Sequence, residues 1–237
     1  MTTGSDFSRK IMIVDAGHGV GLALTSLLAD RGFEVIAWAR GGDAPSQPLL
    51  AGSIHWIDAS TIEAVDADLL NSVDAVIFNT SDLDEVELMA SRRLADAIAA
   101  DGDFFLQSLQ TISRVMIENR RGQIWALAPD DSFAYYLPLP IAPITHHARI
   151  GGIRALAKEL ARFGVHANAA ILQPFRETVE PTAWQDARAG VGSYAQKFKP
   201  VSLVDVADTL AFWLTRETLP MNGSVVHFGN GVYDGNH

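Results

Sequence analysis

The stretch Ile11-Met12-Ile13-Val14-Asp15-Ala16-Gly17-His18-Gly19-Val20-Gly21 decides the fold. Its first four residues form a short continuous apolar run, the pattern of a strand covered on both faces. The glycine cluster after it supplies the backbone freedom of a tight turn. Val20, Leu24, Leu27, Leu28 and Arg31 then recur at helical spacing, and Gly32 suits a helix C-cap. Val35-Ile36-Ala37-Trp38 is a second apolar run. Strand, glycine loop, helix and strand within about thirty residues have the dimensions of a βαβ unit.

The alternation continues outward from this unit. Strands are expected at Ile54–Ile57, Ala75–Phe78, Gln123–Leu127, Ala169–Leu172 and Ser224–Phe228. Helices are expected over Leu83–Glu118, in two segments broken near Asp101-Gly102-Asp103, and over Thr145–Arg162 and Leu203–Thr215. Strands alternating with helices throughout predict an α/β fold, a single doubly wound parallel sheet of Rossmann type with helices on both faces. No linker divides the chain, so residues 1–237 read as one domain. Residues 1–10 are expected to be a flexible leader, and 177–199, mixed in Pro, Gly and charge, a lid or substrate loop.

Bulk composition narrows the function. The 237 residues are 48% hydrophobic and 19% charged, a globular composition long enough for a large core. A net charge of −10 argues against nucleic acid or an anionic membrane as partner, because long-range repulsion opposes both. With no cysteine, disulfides, thiolate catalysis and thiolate metal sites are excluded, and no metal is expected. The N-terminus lacks the apolar core of a signal peptide, and no apolar run approaches the ~18 residues of a membrane span, so a cytoplasmic protein is expected.

A glycine loop between strand and helix lets a pyrophosphate approach the backbone, where the helix N-terminus offers N–H donors. A tight turn needing glycine dihedrals is the plainer alternative. Here an ordered set of matches accompanies the loop. Gly19-Val20-Gly21 resembles the end of the T-G-x-x-x-G-x-G loop of the short-chain dehydrogenase/reductase family. Asp58 resembles that family's adenine-contacting aspartate, and Asn79 the second asparagine of its N-N-A-G. Gly151, Leu156 and Lys158-Glu159-Leu160-Ala161 resemble the helix carrying its Y-x-x-x-K, with Val165 and Asn168 in the next strand. Asn222-Gly223, Val226 and Gly231 resemble its C-terminal T-G-x-x-L-x-V-D-G-G. The resemblance implies a cofactor, NADP(H) or NAD(H), at Gly17, Gly19, Val20, Gly21, Arg40, Asp58 and Asn79. Arg40, with no acid at Ala39, implies NADP(H); a surface arginine at a strand end is the alternative. The resemblance also implies a dimer or tetramer, either a homo-oligomer or a hetero-oligomer with an active subunit, built on the helices of Leu83–Glu118 and Thr145–Arg162.

The departures from the family are as informative as the matches. Val14-Asp15 stands where the loop should begin T-G, and a carboxylate there would repel a pyrophosphate unless it points away, is protonated or is paired. The implied dinucleotide binding is therefore weakened or lost. The family's serine falls at Pro129, its tyrosine at Ala142, its lysine at His146, and its helper asparagine near Asp101 or Gly102. Two independent counts agree, since positions 129 and 142 keep the family's separation. Neither proline nor alanine can transfer a proton, so ordinary carbonyl reduction is not expected. A frame shifted by three residues, Ser132, Thr145 and Arg149, resembles halohydrin dehalogenases, with a threonine in place of tyrosine.

Candidate acid/base residues are His146, which titrates near neutrality in its ordinary state, and Tyr135 or Tyr136 in the bordering loop. Packing at the helix start and in the lid are their structural alternatives. Three functions follow. The first is a non-catalytic partner subunit or binding module of a dehydrogenase. The second is a repurposed enzyme doing non-redox chemistry such as cyclisation, elimination or isomerisation. The third is an NADP(H)-dependent reductase with an atypical proton donor.

Overall fold

The computed structural model describes residues 9–42, 53–83, 85, 93–130, 142–175, 182 and 201–229. Its elements are β1 (Lys10–Val14), α1 (Gly19–Ala29), β2 (Glu34–Ala39), β3 (Ile54–Asp58), α2 (Ala67–Ser72), β4 (Ala75–Phe78), α3 (Leu94–Asn119), β5 (Gly122–Pro129), α4 (Pro143–Leu160), β6 (Val165–Leu172), α5 (Leu203–Leu214) and β7 (Val225–Phe228), with 3₁₀ turns at Ile62–Ala64 and Ala161–Phe163. The seven strands form one sheet in the order β3-β2-β1-β4-β5-β6-β7, with every neighbouring pair parallel. The expected doubly wound α/β sheet is observed. The order reverses direction beside β1, between it and β4, and a crevice for ligands opens at the carboxyl ends of strands flanking such a switch point.

Strand periodicity divides the core into two layers. Met12, Val14, Ile36, Trp38, Val76, Phe78, Ile124 and Ala126 face α3 and α4, meeting Phe105, Leu109, Ile112, Met116, Ile153, Ala157 and Leu160. Ile11, Ile13, Val35, Ala37, Ile77, Trp125 and Leu127 face α1 and α5, meeting Leu24, Leu28, Val206, Leu210 and Leu214. Each large apolar side chain so buried contributes about 1.5–3 kcal/mol.

Two expected features are corrected. The leader expected over residues 1–10 is already structured at its end, where Lys10 opens β1 opposite Glu34, and residues 1–8 lie outside the described residues. The helix expected to break near Asp101-Gly102-Asp103 is continuous from Leu94 to Asn119. A mid-helix glycine costs only about 1 kcal/mol relative to alanine. The buried row Leu94, Phe105, Leu109, Ile112 and Met116 outweighs it, and Asp101 is buried in an ion pair rather than capping a turn.

The connection from Asp58 to Asn79 is short, carrying a 3₁₀ turn and the six-residue α2, which Asp66 caps by accepting from Asp68 N and Leu69 N. It leaves β3 partly uncovered, with His55 and Asp58 exposed. At the opposite end of the sheet, Arg9 Nη1 donates to Leu214 O and Arg216 O, while Gln123 Nε2 donates to Trp213 O and Arg216 O. These bonds satisfy the last carbonyls of α5 and tie the chain before β1 to it. Tyr135, Tyr136 and Ser132 lie outside the described residues, as does 177–199 apart from Thr182.

Candidate functional site

The glycine loop leaves β1 through Asp15, whose φ is +59°. This left-handed conformation is uncommon outside glycine, and aspartate tolerates it better than most residues. The position is the one where the resemblance expects the first loop glycine. Asn79, at the end of β4, fastens the loop: its Nδ2 donates to Asp15 O at 2.9 Å and His18 O at 3.1 Å. That amide lies so close to α1 that a Cβ on Gly21 would stand 2.6 Å from Asn79 Nδ2. Gly21 is therefore fixed by close approach rather than by dihedral angle. Helix α1 begins at Gly19 behind His18, which makes no side-chain cap bond, so its first N–H groups have no side-chain cap.

Above the loop lies a chain of four charges, three of them buried. Asp15 is 5% exposed, and its Oδ1 pairs with Arg40 Nε at 3.1 Å. Burial pushes the Asp15 carboxyl above its ordinary range, against the opposing pull of Arg40 and then Arg149. Arg40 follows β2, lies 4.4 Å from the centre of the Phe104 ring, and brings Nη2 to 3.8 Å from Asp101 Oδ1. Asp101, on α3, accepts from Arg149 Nη2 with both oxygens at 2.8 Å and from Ser81 Oγ at 3.4 Å. Arg149, on α4, also donates through Nη1 to Asn79 O at 2.7 Å. Two carboxylates and two guanidiniums thus alternate from the glycine loop to α4, and α3 supplies the carboxylate between the two guanidiniums.

The start of α4 is capped by a residue distant in sequence. The N-cap residue is Ala142, which has no capping oxygen, and Glu85 replaces it from a distance. Its carboxylate accepts from Ile144 N at 2.7 Å, Thr145 N at 3.1 Å and Thr145 Oγ1 at 2.7 Å. One turn on, His146 is 2% exposed, and its Nε2 accepts from Ser81 N at 3.1 Å. Burial first, then the Arg149 charge and His147, pull its pKa down to about 3. The imidazole is therefore neutral, with its proton on Nδ1, which has no hydrogen-bond partner.

The structure thus gathers Gly17, Gly19, Val20, Gly21, Asn79, Arg40, Asp101, His146 and Arg149 around the switch point. Asp58 stands apart from this cluster; it is exposed and accepts from Gly42 N at 3.1 Å. Pro129 ends β5 and Ala142 precedes α4, and neither carries an ionisable group there. Sequence reading missed Glu85 altogether, because no local pattern announces a residue that caps a helix about sixty positions away. It also left Asp101 and Arg149 as separate positions, and only the packing of α3 on α4 joins them. Among the described residues no three His, Cys, Asp or Glu side chains converge in a way that could hold a metal ion, and no helix is long and apolar enough to cross a membrane.

A Rossmann-like sheet with a glycine-loop crevice is the class that fold and site define. No protein-family model matches the chain, and no curated protein matches its sequence. Solved structures do match. One is an actinorhodin polyketide ketoreductase variant crystallised with NADPH, at TM-score 0.70 and 17% identity, covering 99% of this chain and 100% of that one. Another is described as a dehalogenation enzyme, at TM-score 0.71 and 18% identity, covering 93% of this chain and 96% of that one. Both likenesses carry the fold. The residues present fit a dinucleotide in part. The bare α1 N-terminus and Gly19–Gly21 suit a phosphate, whereas Asp15, paired with Arg40, sets a carboxylate in the same turn.

Proposed function

We propose that this protein is a non-catalytic member of the short-chain dehydrogenase type, acting as a partner subunit or binding module that keeps the nucleotide cleft and has given up carbonyl reduction. The observation that carries this reading is the pairing of the site's charges with one another. Carbonyl reduction needs a side chain that can deliver a proton and a cation that holds its pKa near the working pH. The two positions expected to supply proton and polarisation hold Ala142 and Pro129. The position expected to supply the cation holds a neutral imidazole bonded to Ser81 N. The charges nearby, Asp15, Arg40, Asp101 and Arg149, are engaged with one another.

The test is a turnover assay of the purified chain with NADPH and NADH against a panel of ketones, aldehydes and alcohols. No nicotinamide oxidation or reduction above the protein-free rate is expected. Steady turnover abolished by a site substitution would establish the reductase reading instead.

The non-redox reading has one observation in its favour. Thr145 and Arg149 keep the spacing of the shifted frame, and the second structural neighbour is a dehalogenation enzyme. Against it, the Thr145 hydroxyl donates to Glu85 and Arg149 is bound to Asp101, so neither is free for substrate without rearrangement. For His146 to act as a base, the bond from Ser81 N must first break. Halide release from a panel of vicinal haloalcohols is the corresponding assay, and none is expected.

A further inference from the structure

We propose that Asp15 and Arg40 form an ionic latch across the adenosine half of the cleft, so that a dinucleotide enters only by breaking it. This rests on the nucleotide-cleft reading above. In a doubly wound sheet the pyrophosphate sits on the first strand-to-helix turn, and the adenosine ribose reaches the end of the second strand. Asp15 belongs to that turn and Arg40 follows that strand. Their side chains meet at 3.1 Å, which leaves no room for a ribose between them. The latch is held from both ends. Asn79 Nδ2 binds the Asp15 carbonyl, and Arg40 rests on Phe104 within reach of Asp101.

Opening has a direction. Arg40, Ser60, Ile62, Phe104 and Ser108 border a cavity of about 280 Å³, and the Arg40 side chain, 27% exposed, has space there to withdraw. Once it withdraws, Asp15 remains buried among Arg149 from α4, Asp101 from α3 and His18 from the loop, without its nearest cation. An anionic ligand beside it then favours the protonated carboxyl. A 2′-phosphate gives the displaced guanidinium a replacement anion, which a ribose diol does not. The latch therefore makes dinucleotide binding take up a proton at Asp15, on top of the 2′-phosphate preference that Arg40 already implies.

The experiment is titration calorimetry of NADPH and NADH into the wild-type chain, Asp15→Gly and Asp15→Asn, at pH 7.5 and pH 5.5. Asp15→Asn keeps the bulk and removes the charge. Asp15→Gly also relieves the positive φ, so one variant serves if circular dichroism shows the other unfolded. The gain in NADPH affinity from pH 7.5 to pH 5.5 should be at least tenfold larger in the wild type than in Asp15→Asn, since the titration of the ligand's own 2′-phosphate is common to both, and the wild type should prefer NADPH to NADH. Both variants should bind at least tenfold more tightly than wild type at pH 7.5 and lose the wild type's additional pH dependence, which separates Asp15 from His18. The same pH dependence in wild type and variants, variants that bind no better, or no binding by any of the three proteins would each overturn the latch. NADPH turnover in the same samples would refute the non-catalytic reading and leave the latch standing.

Discussion

Replacing Arg149 with methionine probes the centre of the site. The substitution keeps the aliphatic stem and removes the guanidinium. Three short bonds disappear, two to Asp101 and one to Asn79 O. Asp101 is 4% exposed, so water does not replace them. Removing one partner of a buried ion pair costs about 3–5 kcal/mol, chiefly because the other charge stays buried and unpaired. Arg40 Nη2 remains 3.8 Å from Asp101 and Ser81 Oγ still donates to it, which places the loss near the lower end, about 3 kcal/mol. In a chain of this size that corresponds to a Tm lower by roughly 6–12 °C. Urea unfolding followed by circular dichroism measures the loss, and Asp101→Asn with the double variant completes a cycle. The double variant should be more stable than the sum of the single losses predicts, by about 1.5 kcal/mol or more. A loss under 1 kcal/mol in Arg149→Met, or strict additivity, would refute the account of a charge pair holding α3 to α4.

Two further outcomes follow from the same geometry. A buried histidine with its pKa lowered from 6.5 to about 3 contributes stability that is complete above the unfolded value and is lost as the pH falls from about 6.5 toward 3. At about 1.4 kcal/mol per pH unit, the wild type should lose up to about 4 kcal/mol more than His146→Gln over that range, and parallel unfolding-versus-pH curves would contradict it. Glu85→Ala strips the acceptor from two backbone N–H groups and a hydroxyl at the start of α4. A loss of about 2 kcal/mol is expected, with faster amide exchange at Ile144 and Thr145, and unchanged exchange there would dismiss the remote cap.

How far the sequence carried the reading differs between fold and site. The seven strands were legible because each is an apolar run between breakers, and the βαβ opening fixed their parallel sense. The helix through Asp101-Gly102-Asp103 was not, because local breaker residues were overruled by a buried stripe whose partners lie on β4, β5 and α4. Within the site, Asp15, Pro129, Ala142 and His146 were marked as anomalous by counting along the chain. Their consequences were not legible. Nothing at position 15 announces Arg40 as its counter-ion, nothing at position 85 announces the start of α4, and nothing at position 146 announces a ring tied to Ser81 N.

The sequence by itself determined the order of elements, the glycine loop at the first strand-to-helix turn, and the residue types at positions 129, 142 and 146. Those depend on residue type and on spacing of a few positions, which a chain displays directly. Tertiary structure alone decided that the remaining charges pair with one another and that His146 is neutral. Pairing and burial depend on what stands within about 4 Å, and for Asp101 with Arg149, Glu85 with Thr145 and Ser81 with His146 the partner is some fifty to sixty-five positions away.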